Sequence, residues 1–412
     1  MFSVGLLMQA LLSASNFLVG LILIRRTTDL QYGYYVLVTN GLLLLTAIQT
    51  AFLQPPTVIN LTRLEHDGRS DLVGGMVRLQ RSFAPWIFGT AAILPPLLWL
   101  LHVLDAGHAW LLALGLFAAT ATLGREFFRM VLFAYHQPGS VLRADILYVL
   151  LLVTGAFLAT MTPVPAHAAV LTLTLAAWAG GMVLAHSMWR HEAWNIHGAP
   201  NILREITRLG GWSVTGAAIH WVLSQGYGYL VAGMIDVQAV ASIAATRLTM
   251  IPIFVLSGGI GTVLFPLTSG WVYRLGIRAA AGRLTLLALG LVVIAICYFG
   301  VVWYLRDWIF GVILKKRFAQ RDPLLLLWGA VFIITLCRDQ FLNLLAARER
   351  FRILAVMTGF STALWLLCSY FALKHFGAPG AVAGILVGET VNVLGIIALI
   401  LRETRSAPIG SA

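Results

Sequence analysis

A handful of charged side chains stand where the sequence is otherwise apolar. Arg125-Glu126 and Arg338-Asp339 are adjacent pairs inside long hydrophobic runs, Arg247 lies between Ala245 and Met250, and Glu389 is the deep carboxylate of the last run. An arginine near the centre of a bilayer costs about 2.5–3.5 kcal/mol on insertion scales, so such a residue faces a wet cavity or a partner. Guanidinium suits phosphate, because its fixed fork donates two parallel hydrogen bonds. Arg247 is therefore a candidate anion ligand, with pairing to Asp236 or to a backbone carbonyl as the alternative. Arg25 and Arg26 close the first apolar run. Either both snorkel to headgroups, or at least one turns into a cavity to meet phosphate.

The adjacent pairs invite a structural role. Neighbouring residues on a helix point about 100° apart, which predicts that Arg125, Glu126, Arg338 and Asp339 bond to neighbouring helices rather than to each other. They would then staple each half together, or act as coupling residues. Glu389 is a candidate coupling carboxylate or a hydrogen-bond partner of a neighbouring helix. His220 is either pH-sensitive or a satisfied polar residue. Beside Glu389, the four-residue spacing of Gly380, Gly384 and Gly388 predicts close contact with another helix. His186, His191 and His197 lack zinc-ligand spacing, and Cys297, Cys337 and Cys368 read as small buried packers. No catalytic residues, metal site or cofactor are expected. There is no Gly-rich loop ending in Lys-Ser or Lys-Thr, and hence no sign of an ATPase.

The elements that carry these residues follow from composition. Of 412 residues, 59% are hydrophobic and 11% charged, and the mean hydropathy is +0.87. Soluble domains carry about 25% charged residues, so the chain reads as an all-α polytopic membrane protein. The alternating pattern of a transmembrane barrel is missing. A net charge of +12 then reflects topology-setting loop arginines and contact with anionic membrane lipids, not nucleic acid.

Twelve spans are predicted. Six lie near 2–24, 34–58, 83–104, 110–135, 141–161 and 168–188, and six near 212–235, 237–267, 284–305, 324–347, 353–375 and 380–401. The first is read as a retained helix, since it lacks a basic leading region and a cleavage site. With both termini cytoplasmic, Lys and Arg divide 16 to 8 in favour of the inside, although Lys315-Lys316-Arg317 runs against the rule. Residues 1–188 form one six-helix lobe, 189–211 a cytoplasmic interfacial linker, and 212–412 a second lobe.

The halves repeat each other. Arg125-Glu126-Phe127-Phe128 answers Arg338-Asp339-Gln340-Phe341, and Asp29-Leu30-Gln31 answers Asp236-Val237-Gln238. The run from Ala47 to Pro55 answers that from Gly259 to Pro266. Six spans per repeat imply a pseudo-twofold axis along the membrane normal and two lobes around a central cavity. These features describe a transporter for an anionic, lipid-attached substrate.

Several stretches carry a family likeness. The run Ala14-Ser15-Asn16-Phe17-Leu18-Val19-Gly20 through Arg25-Arg26, followed by Tyr32-Gly33-Tyr34-Tyr35, resembles the opening of Wzx-type polysaccharide flippases. Leu344-Leu345-Ala346-Ala347-Arg348-Glu349-Arg350-Phe351-Arg352 and Phe376-Gly377-Ala378-Pro379-Gly380, leading to Gly388-Glu389, resemble them too. These flippases belong to the multidrug/oligosaccharidyl-lipid/polysaccharide exporter superfamily. The resemblance implies alternating-access flipping of undecaprenyl-diphosphate-linked oligosaccharide across the bacterial inner membrane, for surface polysaccharide synthesis alongside other assembly proteins. By the same resemblance, Arg25 or Arg26 and Arg247 match arginines that contact the diphosphate. The chain departs from the family in lacking a basic stretch before the first helix. The competing readings are a multidrug or toxin exporter of the same superfamily, and a membrane-embedded polysaccharide polymerase or ligase. An exporter of cations would favour an acidic cavity, and polymerases and ligases resemble chains with a large periplasmic loop, whereas Arg306 to Pro323 is short.

Overall fold

The computed structural model describes residues 2–63, 66–191, 202–347 and 351–406, and every regular element among them is helical. The chain divides into two compact units, 1–221 and 222–412. Ten helices among the described residues are long and apolar enough to cross a membrane. The other two of the twelve expected spans, the seventh and eighth, are broken helices.

Unit 1 contains α1 (Phe2–Arg26), α2 (Asp29–Arg63), α3 (His66–Leu100), α4 (Ala106–Ala134), α5 (Pro138–Ala159), α6 (Pro165–His191) and most of α7 (Ile202–Gln225). Local chemistry sets the boundaries. Asp105 caps α4 by accepting from the His108 amide at 2.8 Å, and this contact holds its exposed carboxyl below the usual range. Pro138 and Pro165 open α5 and α6, where a missing N–H costs nothing. Outer faces are as apolar as inner ones: Trp86 is 77% exposed and Ile93 67%. That suits hydrocarbon rather than water. Phe127, Val131 and Leu132 of α4 are buried against Val73 and Met76 of α3 and Leu184 and Met188 of α6. Helix α4 is thus the hub on which α2, α3 and α6 pack.

The second lobe was expected to open at residue 212. The contacts instead keep 212–221 with unit 1, where the Trp221 indole donates to the Asn40 carbonyl at 2.8 Å. Of the expected linker 189–211, residues 192–201 lie outside the described residues, 189–191 extend α6, and 202–211 begin α7.

Unit 2 continues with α8 (Tyr227–Met234), α9 (Val237–Leu248), α10 (Ile251–Tyr304), α11 (Arg306–Trp308), a π-helical turn (Ile309–Ile313), α12 (Arg321–Ala347), α13 (Phe351–Phe376) and α14 (Ala378–Ser406). The expected break between the eighth and ninth spans is a single residue within α10. Gly276 adopts φ 77° and ψ 165°, a conformation closed to L side chains, and helix resumes on both sides. The basic connector after α10 is clamped, with Arg321 on Asp307 at 2.8 Å and Arg306 on Asp322 at 3.5 Å.

The glycine face of α14 meets α13 as its spacing predicts. A Cβ on Gly380 would overlap the Ala372 carbonyl, one on Gly384 would overlap Ser369, and one on Gly388 would lie 2.7 Å from the Trp365 Cβ. Close backbone approach lets the Ser369 hydroxyl reach the Ala381 carbonyl at 3.0 Å. The cysteines differ from expectation: Cys297 is exposed and Cys337 and Cys368 are half-buried. A thiol tolerates an outward apolar position when the surroundings are hydrocarbon.

Candidate functional site

The buried charges of unit 1 form a closed cluster. Arg125, only 3% exposed, donates to Asp145 Oδ1 at 2.5 Å and to Glu126 Oε1 at 2.6 Å. Its guanidinium lies 3.8 Å from the centre of the Tyr148 ring. Arg129, one turn on, donates from Nε to Asp145 Oδ2 at 3.1 Å and approaches Glu126 at 3.5 Å. Two guanidiniums face two carboxylates, so the cluster is formally neutral and ties α4 to α5. Gly180 and Gly181 of α6 bring that helix onto the Arg125 side chain and backbone, with room for little more than a methyl group.

Unit 2 repeats the arginine but recruits its acid from another helix. Arg338 of α12 donates to Glu389 of α14 at 2.5 Å and, from Nε and Nη2, to Asp339 at 3.1 and 2.8 Å. Both adjacent pairs therefore bond internally as well as across helices, contrary to the 100° argument. The arginine stem is long enough to fold back to its neighbour while its remaining nitrogens reach the next helix. Glu389 is buried and held by a cation, the geometry of a staple. Its place as a coupling carboxylate stays a proposal that would require this pair to open.

Arg247 sits in a different setting, at the meeting of two broken helices. The first break follows Gln225. Gly226 separates α7 from α8, and a Cβ there would stand 2.6 Å from the Val222 carbonyl. The second follows Leu248, where Pro252 cannot supply the next helical N–H and α9 stops after twelve residues. Side chains satisfy carbonyls around this break. Thr249 donates to Thr246 O at 2.7 Å, Tyr298 to Thr249 O at 2.8 Å and the Trp328 indole to Ile243 O at 3.2 Å. Discontinuous helices of this kind are tolerated in membranes where polar groups line a site.

The two residues flanking Gly226 both hold Arg247. Its Nη1 donates to Gln225 Oε1 at 2.8 Å and lies 3.3 Å from the Tyr227 hydroxyl. The rings of Tyr227 and Trp328 stand 5.7 and 5.5 Å from the guanidinium carbon. Tyr227 is itself fixed edge-on against Trp328. Arg247 is half-buried, closes the C-terminal turn of α9 where the helix dipole favours a cation, and meets no carboxylate among the described residues. The expected alternative, Asp236, is instead the cap of α9, accepting from the Ala239 amide at 2.6 Å.

The remaining sequence candidates are dispersed. Arg25 and Arg26 are both exposed, and Arg26 stacks on the Phe157 ring of α5 at 4.3 Å. Arg25 has no acidic partner among the described residues. His220 is exposed on α7. Of the three histidines weighed for zinc, His186 lies on α6, His191 ends it, and His197 is outside the described residues. Sequence reasoning missed Asp145, Arg129, Gln225 and Tyr227. Asp145 carried a weak signal, an acid two residues after Arg143 at the start of a span; the other three carried none that singled them out.

Comparison with known proteins gives a fold. No family signature matches the sequence, and no curated protein is significantly similar. The structure resembles an inward-facing multidrug resistance MATE family transporter of the MOP superfamily, with a TM-score of 0.72 at 14% identity over 97% of this chain and 96% of that one. It also resembles an outward-facing MATE family transporter, with a TM-score of 0.62 at 15% identity over 98% and 96%. A eukaryotic MATE transporter, AtDTX14, gives 0.62 at 14% identity over 97% and 94%. The chain thus has the MATE-type fold of a multi-pass membrane protein.

Proposed function

We propose that this MATE-type fold flips an anionic lipid-linked glycan, of the undecaprenyl-diphosphate oligosaccharide class, across the bacterial inner membrane with both termini cytoplasmic. One observation carries the reading. Of the three arginines placed deep in apolar runs, Arg125 and Arg338 are paired with carboxylates, while Arg247 meets only neutral partners among the described residues. Gln225, Tyr227 and Trp328 fix the orientation of its fork and leave its charge uncompensated. A diphosphate supplies the missing anion and accepts two parallel hydrogen bonds. The exposed Arg25 supports the same chemistry, whereas Arg26 is stacked on Phe157.

The mechanism follows from charge. The substrate diphosphate binds Arg247 on the inner side, the broken helices α7–α8 and α9–α10 move about their Gly226 and Thr249–Met250 breaks, and the lipid leaves to the outer leaflet. An inside-negative potential favours outward movement of negative charge, by about 2.3 kcal/mol per elementary charge per 100 mV. The product would pass to polysaccharide-assembly proteins on the far side.

Multidrug export is the second reading, favoured by the fold likeness to MATE transporters. Cationic drugs would need an available carboxylate, and the deep acids Asp145 and Glu389 are both held by arginine. Complementation of a deletion strain separates the two readings. Restored surface polysaccharide without accumulated lipid-linked precursor supports flipping; restored drug resistance with precursor still accumulating overturns it.

A further inference from the structure

Unit 1 contains a cavity of about 970 Å³ that the Arg247 site does not use. Leu123, Gly124 and Phe128 of α4 line it together with residues of α2, α3 and α6 and with Val214 of α7. Of these helices, α2, α3, α4 and α6 are each long and apolar enough to cross a membrane. The cavity volume lies at the upper end of ordinary ligand pockets, about 300–1,000 Å³.

The lining chemistry narrows the occupant. No carboxylate lines the cavity among the described residues; its cations are Arg81 and Arg125. Arg125 is consumed by Asp145 and Glu126. Arg81 is exposed and has no acidic partner among the described residues. Gln49 of α2 links α3 and α4, donating to Gln80 and to the Leu123 carbonyl, both at 3.0 Å. Apart from Thr120 and His186, the rest is apolar, including Phe52, Phe88 and Trp178. A cationic amphiphile would bring its charge to an arginine with no acid to receive it, which is the wrong sign.

We propose that this cavity holds the hydrocarbon tail of an anionic amphiphile, a polyprenyl phosphate, whose head pairs with Arg81. The inference rests on the flippase reading for the class of lipid, but it concerns a separate site and can fail on its own. Gly124 offers a direct handle, because a Cβ there meets nothing within 4 Å. A large side chain at this position fills the cavity without displacing backbone.

The test uses full-length protein in vesicles and a polyprenyl phosphate carrying a benzophenone at its tail end. Light-induced adducts should map to residues 45–53 and 120–128. Gly124→Trp should reduce them about tenfold, the factor that 1.4 kcal/mol of lost binding produces. Arg81→Ala should reduce labelling by the phosphate towards that of the same tail bearing only a hydroxyl. Gly290→Trp, at an open position on α10, is the substitution control and should leave labelling unchanged. Should Gly124→Trp not accumulate, Ala185→Phe on the α6 wall replaces it. Adducts elsewhere, adducts indifferent to cavity filling, or stronger labelling by the same tail on a trimethylammonium head would overturn the proposal, the last in favour of a drug-type pocket. Flipping measured in the same vesicles separates the two claims. Flipping without cavity adducts defeats this inference alone, and cavity adducts without flipping defeat the transport reading alone.

Discussion

Replacing Asp145 with Asn removes one negative charge from a fully buried position that serves two guanidiniums. Arg125 lies 2.5 Å and Arg129 3.1 Å from its oxygens, so both cations would be left to share Glu126. Charges about 4 Å apart attract by roughly 4 kcal/mol at an effective dielectric constant near 20. The smaller desolvation penalty of the neutral amide offsets part of that loss, whereas the two cations repel each other more once it is gone. Breaking a buried pair by removing one partner costs about 3–5 kcal/mol. For a unit of this size each kcal/mol moves the melting point by about 2–4 °C, so Asp145→Asn should melt about 6–20 °C lower. Thermal unfolding of the purified protein, followed by size-exclusion recovery after heating, measures this. Combining Asp145→Asn with Arg125→Gln should cost less than the sum of the single changes, by about 1–3 kcal/mol. A single variant that melts within about 2 °C of the parent, less than about 1 kcal/mol, would refute the staple.

Other positions give sharper local outcomes. Gly384→Ala should lower the melting point and accumulation because its Cβ overlaps Ser369, whereas Gly359→Ala, which meets nothing within 4 Å, should not. Gly276→Ala introduces no contact but forces an L residue into a glycine-only conformation, at about 1–3 kcal/mol. The same change at Gly282, helical and open, should be neutral or stabilise by up to about 1 kcal/mol. Melting curves of the four variants check both pairs. Gln225→Leu should slow transport while sparing the melting point, since its side chain orients Arg247 rather than packing the core; a fall in melting with transport intact would reverse that assignment.

Much of the fold was legible because uninterrupted apolar runs define spans whatever they pack against. The glycine face of α14 was legible for a related reason: four-residue spacing fixes a helix face, and only a close neighbour explains it. Asp145 was only faintly legible, since it stands two residues from Arg143 at the polar start of a span and is buried only when α5 closes on α4. The internal bonds of Arg125-Glu126 and Arg338-Asp339 were misread because Cβ directions do not limit a long side chain. Arg247 stood out as a lone cation. Its partners did not, since Gln225 and Tyr227 reach it only because Gly226 breaks the helix between them. The join of the eighth and ninth spans through Gly276 was hidden as well, because a polar, arginine-containing stretch can be helical as readily as it can be a loop.

Flipping of a fluorescent polyprenyl-diphosphate oligosaccharide by vesicles holding parental protein, Arg247→Ala or Arg247→Lys tests the central claim most directly. Hydrogen bonds to charged groups are worth about 1.5–3 kcal/mol, so the Ala variant should flip about 10- to 150-fold more slowly at unchanged melting point. Lys should recover part of the rate, keeping the charge but losing the fork. An inside-negative potential should speed the parent and a pH gradient alone should not. Arg247→Ala flipping at the parental rate would contradict the assignment of the diphosphate site.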